Sequence, residues 1–235
     1  MRQARVLHPL PEARRIKLYN SGSFFDHRAI PPGDYETIGA RLRRFERVIV
    51  ESHPALINAD CVRLRDLLSG QLEVAMGLET ANPGILRRLN KRMTLVDFSQ
   101  AAARLRAYGV ALRAFILVKP PFLEEAEALT WAVRSLEFAF DCGASVAVLI
   151  PTRAGNGALE ELTRRAEFSP PRLTTLETAL AYGIELKRGR VFADLWELDR
   201  FSDCAHCLAA RIARLDAMNL QQTVLPTVIC DKCGR

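Results

Sequence analysis

No run of apolar residues in this chain approaches the ~20 that a transmembrane helix needs. The basic amino terminus, MRQARVLHPLPEARR, likewise has no apolar core of the kind that directs secretion. Neither a membrane span nor a secretory signal is expected, and the chain reads as cytoplasmic. The six cysteines are unevenly spread. Cys61 and Cys142 stand alone among apolar neighbours, as small core residues do. The other four form Cys204-Ala-His-Cys207 and Cys230-Asp-Lys-Cys233 near the carboxyl end, a distribution that in a cytosolic chain points to metal rather than to a disulfide framework. Lysine is nearly missing: Lys17, Lys91, Lys119, Lys187 and Lys232 are the only ones, so arginine carries the net charge of +6. A sequence pI near 9.2 permits a polyanionic partner without demanding one. Arg41, Arg43, Arg44 and Arg47 cluster on a predicted helix, where a solvated face is the simpler reading.

What is present is a repeated pattern. At 235 residues and 49% hydrophobic, the chain can bury the core of one α/β domain, with or without a small appendage. Leu72, Val74, Met76 and Leu78 alternate with smaller or polar residues and predict a strand, which ends at Glu79, Thr80, Asn82 and the Pro83-Gly84 break. A helical run from Ile85 to Leu89 follows. Thr94, with Asp97 three residues on, then makes a capping-box-like start for a helix carrying Phe98, Ala101, Ala102, Leu105 and Tyr108.

The same order of strand, polar loop and helix recurs along the chain. Ile16 to Tyr19 leads into Asn20-Ser21-Gly22-Ser23, and Val48 to Val50 into Glu51-Ser52-His53-Pro54. Leu112 to Val118 leads into Lys119-Pro120-Pro121-Phe122, and Val146 to Ile150 into Pro151-Thr152-Arg153 and a Gly155-Asn156-Gly157 loop. Helices are predicted over Tyr35 to Phe45 with Asp34 as cap, Ala59 to Leu68, Glu124 to Phe140 and Leu159 to Arg165. Beyond Pro170-Pro171 the pattern changes to a helix from Thr175 to Ile184, a last strand or edge segment from Val191 to Trp196, and a helix from Leu208 to Met218. Five β/α units without a hairpin signal predict a parallel sheet, open or curved into part of a barrel. Its polar loops would share one rim, and a pocket there is the expected active site.

The succession SGSF, VESHP, GLET with NKRMT, LVKPPFLEE and PTRAGNG resembles the radical S-adenosylmethionine (SAM) superfamily. The branch is that of the archaeosine-forming radical SAM protein and the Elongator catalytic subunit, and the resemblance runs from about Ile16 to Leu180. It implies an α/β fold, a partial TIM-like β/α barrel of parallel strands over residues 1–185, followed by a Cys-rich extension over 186–235. Carried over position by position, Ser21, Gly22 and Ser23 fall where the family holds the amino group of SAM. Glu51 and Ser52 end the family's third strand, with His53 where the relatives place an arginine. Gly77, Glu79 and Thr80 fall near the ribose and methionine carboxylate. Lys119 and Pro120 lie in the segment that meets the adenine, and Pro151 and Thr152 close the sixth strand.

One departure matters more than these matches. The family holds a [4Fe-4S] cluster on three cysteines spaced C-x3-C-x2-C after its first strand, and no such triplet occurs here. The matched region begins at the family's second strand, close to Met1. A start placed too far downstream, or a cropped chain, is the expectation, with a natural non-enzyme as the alternative. Without those thiolates no electron reaches the sulfonium through a cluster, so this chain alone is expected to be inactive.

For the terminal pairs the spacing is close to that of a zinc ribbon, and Cys204, Cys207, Cys230 and Cys233 are the expected metal ligands. His206 could replace one thiolate. Structural zinc is favoured over an auxiliary iron–sulfur cluster or no metal, because a clip would stabilise a tail with few core residues. Two functions follow. One is a parent radical SAM enzyme that modifies RNA, most simply tRNA, and takes electrons from a donor protein. The other is a catalytically silent, zinc-stapled barrel that binds SAM, RNA or a partner protein. An aldolase-type enzyme with Lys119 as Schiff base is weaker, since the family pattern explains Pro120-Pro121 better.

Overall fold

A computed structural model describes residues 13–19, 22–155 and 157–234. Six strands form one sheet in sequential order, and every neighbouring pair is parallel. They are β1 (Arg15–Leu18), β2 (Arg47–Glu51), β3 (Gln71–Glu79), β4 (Ala111–Val118), β5 (Val146–Pro151) and β6 (Arg190–Ala193). The helices that return the chain between them are α1 (Tyr35–Leu42), α2 (Asp60–Leu67), α3 (Pro83–Arg88), α4 (Leu95–Ala107), α5 (Glu125–Asp141), α6 (Ala158–Arg164) and α7 (Leu173–Glu185), and α8 (Ala205–Gln221) follows β6. The sequence left the Val191 segment between strand and edge. It is the sixth parallel strand, so the sheet runs on past residue 185.

Period-2 alternation divides the sheet into two unlike faces. Val48, Val50, Leu72, Val74, Met76, Leu112, Ala114, Ile116 and Val118 are buried under the helices and form the core. The opposite face is concave. Tyr19, just past β1, meets Phe115 of β4 edge-on with ring centroids 6.1 Å apart. In a flat sheet those strands would lie about 14 Å apart, so the sheet curls into a half-barrel. Inside that curve sits an ion cluster. Glu73 is fully buried and accepts from Arg113 at 2.5 Å and from Arg47 at 2.7 Å, while Arg47 also donates to Gln71 at 2.5 Å.

Local chemistry explains most helix starts. Thr94 accepts from the Asp97 amide at 3.2 Å while the Asp97 carboxylate accepts from the Thr94 amide at 2.7 Å, completing the box that the spacing predicts. Asn82 caps α3 by accepting from Gly84 and Ile85 at 2.9 and 3.0 Å. Asp34 precedes α1, but its side chain makes no capping bond. A 3-10 turn over Pro32–Asp34 leaves it with helical dihedrals instead of the extended ones a cap needs.

The last helix closes an open sheet edge. Asn219 exchanges two hydrogen bonds with the backbone of Ala193, and Gln222 does the same with Val191, at 2.8–2.9 Å. Two side-chain amides thus take the place of a seventh strand and cover an edge that would otherwise be free to pair. Arg211 of α8 also donates to both oxygens of Glu177 on α7, at 3.0 and 2.7 Å, both side chains buried. These contacts join the carboxyl-terminal extension to the barrel.

Candidate functional site

Because all six strands are parallel, their carboxyl ends meet on one rim. Glu51 and Glu79 end adjacent strands there. The register of β3 against β4 slips between Gly77 and Glu79, and Glu79 takes φ of +65°, which turns its side chain back over the strand. A Cβ on Gly77 would stand 2.5 Å from Glu79 Oε1, so glycine there is what lets the carboxylate lie flat. Lys91, from the loop between α3 and α4, reaches Glu79 Oε1 at 3.0 Å. Burial, then the neighbouring Glu79, pushes the Glu51 carboxyl above the usual range, with Lys91 opposing the shift.

A proton consequence follows. Because the folded chain holds the Glu51 proton more tightly than the unfolded chain, the associated stability is present at low pH and is lost as pH rises through the raised value. Glu51→Gln is therefore expected to raise Tm by about 1–2 °C at pH 7 and to match the parent below the carboxylate range, checked by thermal unfolding at both pH values. A lower Tm at pH 7 would refute the crowding of these carboxylates.

Ser23 stands at the same rim, its hydroxyl accepting from the His53 amide at 2.9 Å, with exposed Gly22 beside it. Ser21 lies outside the described residues. The His53 ring is fixed at both nitrogens: Nδ1 accepts from the Ala55 amide at 3.1 Å, so Nε2 carries the hydrogen and donates to the Lys91 carbonyl at 2.8 Å. His53 thereby holds the loop from which Lys91 reaches Glu79.

Other rim residues named from sequence are enclosed. Ser52, Thr80 and Thr152 are buried, Thr80 accepting from the Asn82 amide and Thr152 donating to the Val118 carbonyl, both at 3.1 Å. Pro120 and Pro151 are buried too. The Lys119 ammonium donates to the carbonyl of Ser169 at 2.7 Å and to its hydroxyl, with Glu125 3.8 Å away. Burial lowers its pKa, and those contacts leave no open approach for a carbonyl substrate. These residues brace the strand ends, whereas Glu51, Gly77, Glu79 and Ser23 face the opening.

Sequence reading missed two features of this rim. Lys91 lay in the NKRMT loop but carried no role, because nothing local says that a residue twelve positions after Glu79 returns to it. The second is a platform past β5 and β6. Arg153 donates to Asp194 at 2.8 Å, Asp194 accepts from the Trp196 amide at 3.1 Å, and the guanidinium lies 5.4 Å from the indole centroid. Trp196 is 68% exposed, and the buried Arg153 Nε has no partner among the described residues.

The four terminal cysteines come together as the spacing predicts, in a group that could hold a metal ion. The four thiol sulfurs of Cys204, Cys207, Cys230 and Cys233 lie within 4.8 Å of one another. Cys207 and Cys233 are 3.9 Å apart, close to the roughly 3.8 Å that a single tetrahedral ion with 2.3 Å thiolate bonds requires. His206 is exposed and outside the set. Cys204 occupies the N-cap position of α8 without a capping hydrogen bond, and the nearby Cys207 amide lowers its thiol to about 7. The tail returns along α8, where Arg214 donates to the carbonyls of Leu225 and Pro226, and so brings the second pair to the first. Cys61 is buried on α2, and burial raises its thiol to about 11. No cysteine among the described residues ends a strand at the rim, so these residues do not fit a SAM-chelating cluster.

No protein-family model matches the chain. It is 29% identical over 167 residues to the archaeosine synthase subunit beta of Methanosarcina acetivorans, covering 68% of this chain and 48% of the relative. The archaeosine synthase subunit beta of Thermococcus kodakarensis is 29% identical over 162 residues, covering 66% of this chain and 50% of the relative. The chain spans about half the length of the curated relatives it matches. Among solved structures, the archaeal Elp3 of Methanocaldococcus infernus with residues 1–46 deleted has a TM-score of 0.64 at 14% identity. That match covers 82% of this chain and 50% of the other, and it is a likeness of fold.

Proposed function

We propose, starting from a chain related to the archaeosine and Elongator branch of the radical SAM superfamily, that this half-barrel is the SAM-binding part of a tRNA-modifying radical SAM protein. The observation that carries the reading is the charge set on the rim. SAM brings a sulfonium, an ammonium and a carboxylate, a net charge of about +1 at neutral pH by the ordinary ionisation of such groups. Glu51, Glu79 and Lys91 offer two carboxylates and one ammonium, the complementary arrangement. The two carboxylates would receive the ammonium and ribose hydroxyls, and Lys91 the methionine carboxylate. Support for RNA comes from the relatives' name and from Trp196, whose open indole face is of the kind on which bases stack.

A reduced cluster, were one supplied, would cleave SAM to a radical. This chain's residues bind and orient the cofactor, and no cluster-dependent step is assigned to them. Titration of the chain with SAM by calorimetry tests the reading. Saturable binding is expected, weakened about tenfold or more by Glu79→Ala, the scale of one charged hydrogen bond. Unchanged affinity in that variant would remove the rim from the reading.

A second reading is a zinc-stapled barrel that binds without chemistry, favoured by the four-thiol clip at the end of the sheet. Zinc is the ion proposed for that clip, since the sulfur spacing suits one tetrahedral ion and a [4Fe-4S] cluster would place each thiolate on a different iron.

A further inference from the structure

The concave face carries more cations than its acids can balance. Arg15 and Lys17 on β1, Arg47 on β2, Arg113 on β4 and Arg190 on β6 all face the hollow, with Glu73 as the fully buried carboxylate among them and Glu51 on the same face at the far rim. Glu73 is shared between Arg113 and Arg47. Arg15, Lys17 and Arg190 form no ion pair and no side-chain hydrogen bond among the described residues, although Arg190 lies 4.7 Å from the Phe192 ring centroid. The curl of the sheet brings the two edges near enough to repel: Arg190 is held below the usual arginine range by burial and then by Arg15, Arg113 and Arg47. Lys17 is lowered by burial and then by Arg113, with Glu73 and Asp194 opposing the shift.

At the amino-terminal mouth of the hollow, Arg15, Arg47, Ser69, Gly70 and Gln71 line a cavity of about 550 Å³. The one acid on its wall, Glu46, is already paired with Arg14 at 2.7 Å. Arg47 and Arg190 are half-buried while Arg15 and Lys17 are exposed; gathering like charges at one mouth costs stability unless an anion joins them, and planar guanidinia suit the tetrahedral oxygens of phosphate.

We propose that this mouth is a phosphate-binding site, in which Arg15 and Arg47 on the cavity wall, with Lys17 and Arg190 from the adjoining concave face, close on a phosphate group above the Glu73–Arg113 pair. It lies at the opposite end of β3 from the cofactor rim, since Gln71 and Glu79 are separated by about 26 Å of extended chain. The proposal is therefore independent of the SAM reading. Two sources carry that chemistry, free phosphate and the 5′ end of an RNA strand, and the ligand arms below separate them.

The 235-residue chain is titrated calorimetrically at low salt with inorganic phosphate, pyrophosphate, and one single-stranded oligoribonucleotide with and without a 5′-phosphate. Saturable binding is expected, weaker with rising ionic strength. Arg15→Gln/Arg190→Gln should weaken it tenfold or more, whereas Arg164→Gln/Arg165→Gln on α6 should leave it unchanged. Because neither Arg15 nor Arg190 forms an ion pair among the described residues, and Arg190 gives up only its contact with the Phe192 ring, the first variant should melt no lower than the parent at low salt. Lys17→Gln gives a second, milder loss should the double variant fold poorly. Preference for the 5′-phosphorylated strand over pyrophosphate assigns the site to RNA ends, and the reverse assigns it to free anion. Absence of saturable binding, equal binding by the Arg15/Arg190 variant, or an equal loss in the Arg164/Arg165 variant would overturn the proposal.

Discussion

Glu73→Ala is expected to destabilise the chain by about 3–5 kcal/mol, the cost typical of leaving a buried ion pair without one partner. The Arg113 side chain is only 9% exposed and donates to Glu73, while Arg47 donates to the other oxygen. Removing that carboxylate strands a buried guanidinium and leaves Arg15, Lys17, Arg47, Arg113 and Arg190 facing one another without a counter-charge. For a chain of this size the loss corresponds to a fall in Tm of roughly 6–20 °C. Urea unfolding at low salt measures it directly. The double variant Glu73→Ala/Arg113→Leu should recover most of the loss, because it removes the stranded charge together with the acid. A loss below about 1 kcal/mol in the single variant would mean that the cluster is solvated and that the curl of the sheet is looser than described.

Stripping metal from the carboxyl-terminal thiols is the second large effect. One zinc per chain is expected by elemental analysis, and a chelator should lower Tm by about 10 °C. That estimate takes about 4 kcal/mol of linkage at free zinc a thousandfold above its dissociation constant. The damage should be directional. An ion held by the four thiols would join the first turn of α8 to the end of a tail that otherwise rests on contacts from Arg214 and half-buried Val224 and Leu225. Loss of the ion should therefore expose residues 222–229, which offer Val224, Val228 and Ile229 as cleavage points, to thermolysin before the barrel opens. Cys207→Ser should reproduce the pattern without chelator. Absorbance around 400 nm would instead indicate iron–sulfur ligation. Metal-free protein with unchanged Tm and unchanged proteolysis would leave the four thiols without a structural role.

These two effects differ in how far each could be read ahead of the fold. The CxxC pairs announce themselves because each pair has its own spacing, and only their meeting depends on how the chain returns along α8. The capping box at Thr94 and Asp97 was equally legible, since both partners lie within one helical turn. Glu73 was not. It occupies a polar position between Leu72 and Val74, and alternation alone assigns such a residue to water.

The order of parallel β/α units, the polar rim and the terminal cysteine pairs were set by the sequence alone, because hydrophobic period, turn residues and ligand spacing act over a few positions. Tertiary structure decided the rest: Lys91 reaching Glu79, Lys119 shut in by Ser169, the Asn219 and Gln222 amides sealing β6, and five cations drawn around one carboxylate by the curl of the sheet. Each of those joins residues that neighbour one another only after the chain has closed, and chain closure leaves no local period to read.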